Sequence, residues 1–332
     1  MTRPALALLV LVLAVAGVGC PCSGVVNSSP ELRWWLFSNF GASKICPEML
    51  KRGVPLKMAQ SGEASIGRFF PSQCHVTVDD AKKAIVMNAA GTGYVVMPFT
   101  RRVGFSVAMG VEYHPDFRLE DDATYVWGKF SHFTQQPDMR VLGVENPIVN
   151  LATQTPFGNV ASVIGNGLVQ SEIGKGFTVV RQEDGDDFAL GHLEPPAKPK
   201  RQFKPGKGHV LLANDLTNVA SQSREFLGPL FVEDDRVSLF FRASVTGPQL
   251  TYVVVERSVG EAWRRAYETA QPLAPPPGVV LGGGQLAQDT RLAIPVPKGV
   301  YYVVVENSAP APILGVGDMA SLLSYSIELG DR

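Results

Sequence analysis

The sequence predicts a mainly β protein with some α, built as an N-terminal α+β antiparallel-sheet domain and a C-terminal β-sandwich. Three observations carry that expectation. Short apolar or β-branched runs are separated by turn-forming clusters through residues 75–144. The string Tyr252-Val253-Val254-Val255-Glu256-Arg257-Ser258 returns as Tyr302-Val303-Val304-Val305-Glu306-Asn307-Ser308. Gly and Pro number 33 and 25, which suits many turns between short strands better than a helical bundle.

The chain opens with Met1-Thr2-Arg3-Pro4, carrying one positive charge, and continues as an unbroken apolar run from Ala5 to Gly19. A basic start, an apolar run shorter than the ~20 residues a bilayer needs, and small residues ahead of a cut site describe a secretory signal over 1–19. Gly17-Val18-Gly19-Cys20 resembles the lipobox of bacterial lipoproteins, although Gly17 stands where that family carries a branched aliphatic. The resemblance implies that Cys20 is diacylated and becomes the new N-terminus, a stable two-chain anchor. Pro21 rather than Asp beside it implies an outer-membrane address, on the periplasmic side or at the cell surface. Ala14-Val15-Ala16 is a competing site for ordinary signal peptidase and would leave every cysteine in an unanchored product.

The four cysteines are Cys20, Cys22, Cys46 and Cys74. With Cys20 lipidated, Cys46 and Cys74 are the natural disulfide pair, and the loop of about 28 residues between them makes the bridge worth ~3 to 4 kcal/mol. Cys22 is left unpaired. No C-x-x-C or paired-His spacing exists and the histidines (75, 114, 132, 192, 209) are scattered, so neither a metal site nor a cofactor is expected.

Residues 20–30 read as a flexible tether. Ser29-Pro30-Glu31 is a helix start, with Ser as N-cap and Pro at the first helical position. Helical spacing places Leu32, Trp35 and Leu36 on one face with Phe40, while Trp34 and Phe37 fall to the side. The two tryptophans suit either the headgroup level of a membrane or packing on the first domain.

The α+β domain spans 31–193. Strands are expected at His75–Val78, Ala84–Met87, Tyr94–Met97, Gly104–Tyr113, Thr124–Phe130 and Met139–Val144, with turns at 79–82 and 90–93. Along 104–113, Phe105, Val107, Met109 and Val111 alternate with smaller or polar residues. The stretch 146–174 is almost uncharged, and a helix over 158–172 carries Val160, Ile164, Leu168 and Val169 at near-helical spacing. These four are the candidate lining of a pocket for a lipid or other hydrophobe; the alternative is a helix that simply covers one sheet face. Strands at 177–181 and 188–190 follow.

Residues 194–208 are Pro-rich and basic and read as an extended linker, or as a patch for phosphate-bearing polymers. The β-sandwich spans 209–332. Each copy of the repeated string follows another strand across a turn, through Gly247-Pro248 and through Pro297-Lys298-Gly299. Two such hairpins stacked face to face would bury both valine runs in a sandwich of about seven to nine strands. Gly299-Val300-Tyr301-Tyr302 resembles the closing strand of jelly-roll accessory domains of exported bacterial proteins. That resemblance implies a fold and carries no functional motif.

The formal net charge is −1, so no global field draws nucleic acid, and no nucleic-acid partner is expected. The chain has no H-E-x-x-H, no G-x-S-x-G and no phosphate-binding Gly loop. Asp184, Asp186 and Asp187 flank Gly185, but Gly191 stands where a calcium loop needs its bidentate Glu. His114, Asp116 and His132 have no evident nucleophile, so no catalytic residue is assigned. The expected role is non-catalytic binding or assembly by an envelope lipoprotein, held to the membrane by its anchor, with another envelope protein, a glycan or a lipid as partner. A hydrophobe carrier, and a hydrolase whose triad comes from distant residues, are the alternatives.

Overall fold

Short helices open the chain in the computed structural model, which describes residues 22–57, 63–97, 100–146, 170–310 and 319–331. These are α1 (Cys22–Ser28), α2 (Pro30–Leu36) and, after a π-helical turn at Phe37–Gly41, α3 (Ala42–Leu50). The signal segment, Cys20, and Val160, Ile164, Leu168 and Val169 lie outside the described residues. Ser29 caps α2 as expected, its Oγ accepting from the Leu32 N–H at 3.3 Å. The tether reading of 20–30 does not hold for its described part: α1 is docked, with Asn27 donating to the Leu119 carbonyl at 2.7 Å and accepting from the Leu119 N–H at 2.9 Å. The aromatic faces are also reversed. Phe37 is buried, Trp34 donates to Asp80, and Trp35 and Phe40 are exposed. The π turn adds a residue to the helical repeat and so rotates everything after Leu36.

A meander follows: β1 (Val54–Lys57), β2 (Ser65–Asp79), β3 (Ala84–Met97), β4 (Arg101–Leu119) and β5 (Ala123–Val144), then α4 (Ser171–Gly174), β6 (Phe177–Gln182) and β7 (Gly185–Leu190). The turn at 79–82 forms between β2 and β3, but Ala90–Gly93 is strand interior. Gly91 and Gly93 are there because β3 passes close to β2: a Cβ at Gly91 would lie 2.3 Å from the Phe70 carbonyl, and one at Gly93 2.5 Å from the Arg68 carbonyl. The expected strands at 124–130 and 139–144 are likewise one, β5. Its polar middle escapes a regular ladder, because the register jumps from Ala108↔Asp138 to Gly110↔Gln135 and Pro137 falls in that bulge, where it owes no hydrogen bond.

The C-terminal strands are β8 (Val210–Val219), β9 (Ser223–Val232), β10 (Val237–Thr246), β11 (Leu250–Glu256), β12 (Val280–Leu286), β13 (Thr290–Pro295), β14 (Gly299–Asn307) and β15 (Ser321–Asp331), with α5 (Arg257–Glu268) after β11. One 11-stranded sheet runs β1 to β8 in order and then β15-β10-β13; a 4-stranded sheet runs β12-β11-β14-β9. The sandwich is formed by β8-β15-β10-β13 against the smaller sheet, around a core that includes Leu227, Phe241, Val254, Val303 and Tyr325.

The repeat is arranged differently from two stacked hairpins. The two valine runs are antiparallel neighbours in one sheet, Tyr252↔Val305 and Val255↔Tyr302, while their leading strands β10 and β13 pair in the other. Each copy is therefore an arch between sheets, and the two arches are related by an approximate two-fold. Both faces of the runs are covered, as uninterrupted valine demands. Val254, Val303 and Val305 enter the sandwich core, and Val255, Tyr302 and Val304 enter a second core under α5. Gly260 of α5 lets the helix sit on Tyr302, where a Cβ would lie 2.4 Å from the ring.

The expected boundary at 194–208 falls between strands of the same sheet. That segment has no regular element, yet it is tied down: Arg201 donates to Asp184 at 2.7 and 2.9 Å and to Asp187 at 2.7 Å, Lys198 donates to Asp122 at 2.9 Å, and the Gly206 N–H donates to Glu328 at 2.9 Å. The core under α5 joins Phe70 and Tyr94 of the first half to Phe226, Trp263 and Tyr267 of the second. Arg264 lies 4.1 Å over the Phe70 ring and Arg102 4.2 Å over Tyr267, cation–π contacts that cross the same joint.

Candidate functional site

Strand β8 lies between the two halves and closes the meander on itself. It meets β7 in parallel at Gly185↔Leu211 and β2 in parallel at Ser65↔Thr217, so β2 through β8 form a ring. A ring of this size is wide enough to hold a ligand when its interior side chains leave space. Here they do. A cavity of about 970 Å³ lies between the ring interior and the helical segment, and it is the principal candidate site among the described residues.

Its wall is mostly apolar. Met87 of β3, Val107, Met109, Tyr113 and Phe117 of β4, Val126 of β5 and Phe177 of β6 face it. Alternation along β4 sends Val107 and Met109 to the same side, which is why one strand supplies so much of the lining. The helical segment makes the opposite wall through Leu36, Phe37, Phe40, Ile45 and Met49. Two features hold it there. Phe37 is buried in the meander core, and Cys46 of α3 is disulfide-bonded to Cys74 of β2 with their Cα atoms 5.3 Å apart. The pair Cys46–Cys74 is thus the one expected. Such bridges persist in oxidising compartments, which fits an exported protein. Phe40 and Phe188, also lining residues, are 55% and 40% exposed.

The polar lining is organised as ion pairs. Asp215 Oδ1 is 3.3 Å from Lys57 Nζ, Asp186 is 3.1 Å from Arg181, Glu63 is 2.5 Å from Lys200, Asp187 is 2.7 Å from Arg201 and Glu48 is 3.1 Å from Lys51. Glu172 pairs with Lys175. Arg68, at the inner end, donates to Glu225 at 2.8 Å, to the Gly53 carbonyl at 3.1 Å and to the Tyr325 hydroxyl at 2.9 Å. Burial lowers the Arg68 guanidinium, but Tyr325, Glu225, Tyr94 and Asp215 more than offset this and hold it well above its ordinary value. The hydrogen bond from Arg201 holds Asp184 below the usual carboxylate range, while burial raises its neighbour Asp187. The three aspartates around Gly185 are therefore engaged by arginines, and Lys198, Lys200 and Arg201 of the linker by carboxylates.

Neither His114 nor His132 sits as the base between a serine and a carboxylate. Ser131 Oγ donates to Glu112 Oε1 at 2.9 Å and lies 3.1 Å from His132 Nδ1, and that same Nδ1 is 3.4 Å from the same Oε1. A relay needs the imidazole between its partners, one on each nitrogen; here one nitrogen faces both. Asp116 is held by Arg33 at 2.8 and 3.1 Å rather than by His114. No group of three or more His, Cys, Asp or Glu among the described residues is placed to hold a metal ion. No helix among them is long and apolar enough to cross a membrane.

Sequence reasoning marked the inward side of β4 through Phe105, Val107, Met109 and Val111 but did not make them a site. Alternation tells which side chains turn inward and not whether they fill the interior. No protein family model matches the chain, and no curated protein matches it in sequence.

Proposed function

We propose that this protein is an exported, non-catalytic binding protein that holds an apolar ligand inside the ring. The observation that carries this reading is the cavity of about 970 Å³ walled by Met87, Val107, Met109, Phe117 and Val126. Ligand pockets run from ~300 to ~1,000 Å³ and are apolar with a few placed polar groups, and this one fits both measures. The apolar run from Ala5 to Gly19 followed by Cys20 supports delivery to the envelope and attachment by a lipid at Cys20, which would keep the binding site at a membrane. The partners in this reading are the membrane that holds the anchor and the lipid or other hydrophobe that occupies the cavity.

Titration with 1-N-phenylnaphthylamine, an apolar dye whose fluorescence rises on leaving water, tests the reading. One saturable site is expected, and Met109→Trp, which fills the cavity from β4, should abolish it while circular dichroism keeps its β signature. No saturable binding, or binding unaffected by Met109→Trp, overturns it.

A further inference from the structure

The ligand's polar end can be read from the charges that line the cavity. Every carboxylate on its wall is engaged by a cation of the chain, as the ion pairs above show. The lining cations are more numerous. Lys57, Lys175, Arg181 and Lys200 are matched to those carboxylates, and Arg68 to Glu225. Two lining cations are left over: Lys44 of α3 and Arg52, just beyond its C-terminus, have no ion pair or side-chain hydrogen bond among the described residues. They bracket Ile45 and Met49, the apolar residues that α3 turns to the cavity. One wall of the site therefore presents Ile45 and Met49 together with two unmatched cations, and Glu48, which lies between those cations, is already paired with Lys51 at 3.1 Å.

We infer that the cavity takes an amphiphile with an anionic head, its tail among the β4 side chains and its head held by Lys44 and Arg52. This rests on the binding reading above and names the ligand class for that same site. A neutral hydrophobe satisfies the wall of β3 to β6 but leaves both cations as they are. A carboxylate or phosphate head gives each a charge-assisted hydrogen bond, roughly twice as strong as a neutral one. Apolar contact supplies affinity and the two cations supply orientation, the division of labour usual for small-molecule sites.

Oleate and oleyl alcohol share a tail and differ in the head, and their displacement of the bound dye in mildly alkaline buffer separates the possibilities. Oleate is expected to bind about tenfold more tightly than oleyl alcohol. The double variant Lys44→Ala/Arg52→Ala should lose that preference and keep its affinity for the alcohol. The variant Lys44→Arg/Arg52→Lys should retain the preference, because charge and reach are kept. Acetate, the head without a tail, should not compete. Equal affinity for the two ligands in the unaltered protein, an oleate preference that survives the double alanine variant, or loss of both ligands in that variant overturns the assignment. If neither ligand nor dye binds the unaltered protein, the failure lies with the binding reading itself.

Discussion

Arg68 and Glu225 stand 157 residues apart in sequence, yet the guanidinium Nε lies 2.8 Å from the carboxylate and both side chains are only 5% exposed. Arg68 belongs to β2 of the meander and Glu225 to β9 of the sandwich. Tyr94 completes the arrangement, donating to Glu225 at 2.9 Å and accepting from the Phe226 N–H at 3.0 Å. A buried pair seldom stabilises a protein more than well-packed apolar residues would, but breaking it strands a charge.

Removing one partner should therefore be costly. Glu225→Ala is expected to lower unfolding free energy by about 3 to 5 kcal/mol, because the buried Arg68 keeps its charge without its nearest carboxylate. The double variant Arg68→Met/Glu225→Leu should recover part of that loss. Urea unfolding of both variants checks this, and a double variant no more stable than Glu225→Ala alone would count against stranded charge as the cause.

The same pair bears on whether the halves fold alone. A fragment of residues 209–332 contains every sandwich strand, but it also bares Glu225, Phe226, Tyr267 and Tyr302, which the first half covers. It is expected to bind anilinonaphthalene sulfonate and to melt without a sharp transition. A cooperative melt with no dye binding would instead support the two-unit reading that the linker at 194–208 suggests.

Reduction of the Cys46–Cys74 bridge should act on the cavity more than on the sandwich, since it releases the wall made by α3. Cys46→Ser/Cys74→Ser is expected to cost about 3 to 4 kcal/mol by the loop-entropy measure. Dye binding should weaken in parallel. Alkylation mass spectrometry of native protein provides the companion check: both thiols should be blocked until a reductant is added.

Alkaline pH should unfold the protein through its tyrosines. Burial pushes the Tyr267 and Tyr302 phenols up to about 12, and it raises Tyr94 and Tyr325 as well. An unfolded phenol ionises near ~10, so the folded state holds more protons above that point and loses stability as pH rises. Their stabilisation is fully present below pH ~10, and each such tyrosine then removes about 1.4 kcal/mol per pH unit until its folded value is reached. Urea midpoints across this window, followed beside tyrosinate absorbance, should fall together with a late, cooperative ionisation.

Local chemistry made several elements readable in advance. Ser29-Pro30 marked the start of α2, 79–82 marked a turn, and unbroken valine in 253–255 and 303–305 required cover on both faces. The lipobox resemblance, by assigning Cys20 to a lipid, left Cys46 and Cys74 as partners. What escaped depends on distant chain. Glycines at 90–93 resemble a turn unless the neighbouring strand that needs their missing side chains is known. The pattern of a leading strand, a tight turn and a valine run is the same for a hairpin and for an arch between sheets, so the pairing of the two copies had no local signal. Helix α5 starts inside the repeated string, so Glu256-Arg257-Ser258 reads as that string's end, although Trp263, Arg264 and Tyr267 beyond it carry a helical stripe. The cavity was the least visible feature of all, since it is made of volume that side chains do not occupy.

Strand β8 lies at the edge of two constructions at once. It is paired with β15 along most of its length, from Ser321↔Val219 to Leu329↔Val210, and it touches the ring through one registered pair on each side. The stave that shuts the container is thus owned by the neighbouring structure. For an engineer, the binding compartment cannot be cut out and grafted elsewhere as a cassette, because the excised meander would be an open trough. For descent, the two halves must have changed in concert, with every adjustment to the sandwich felt as a change in the bore of the vessel beside it.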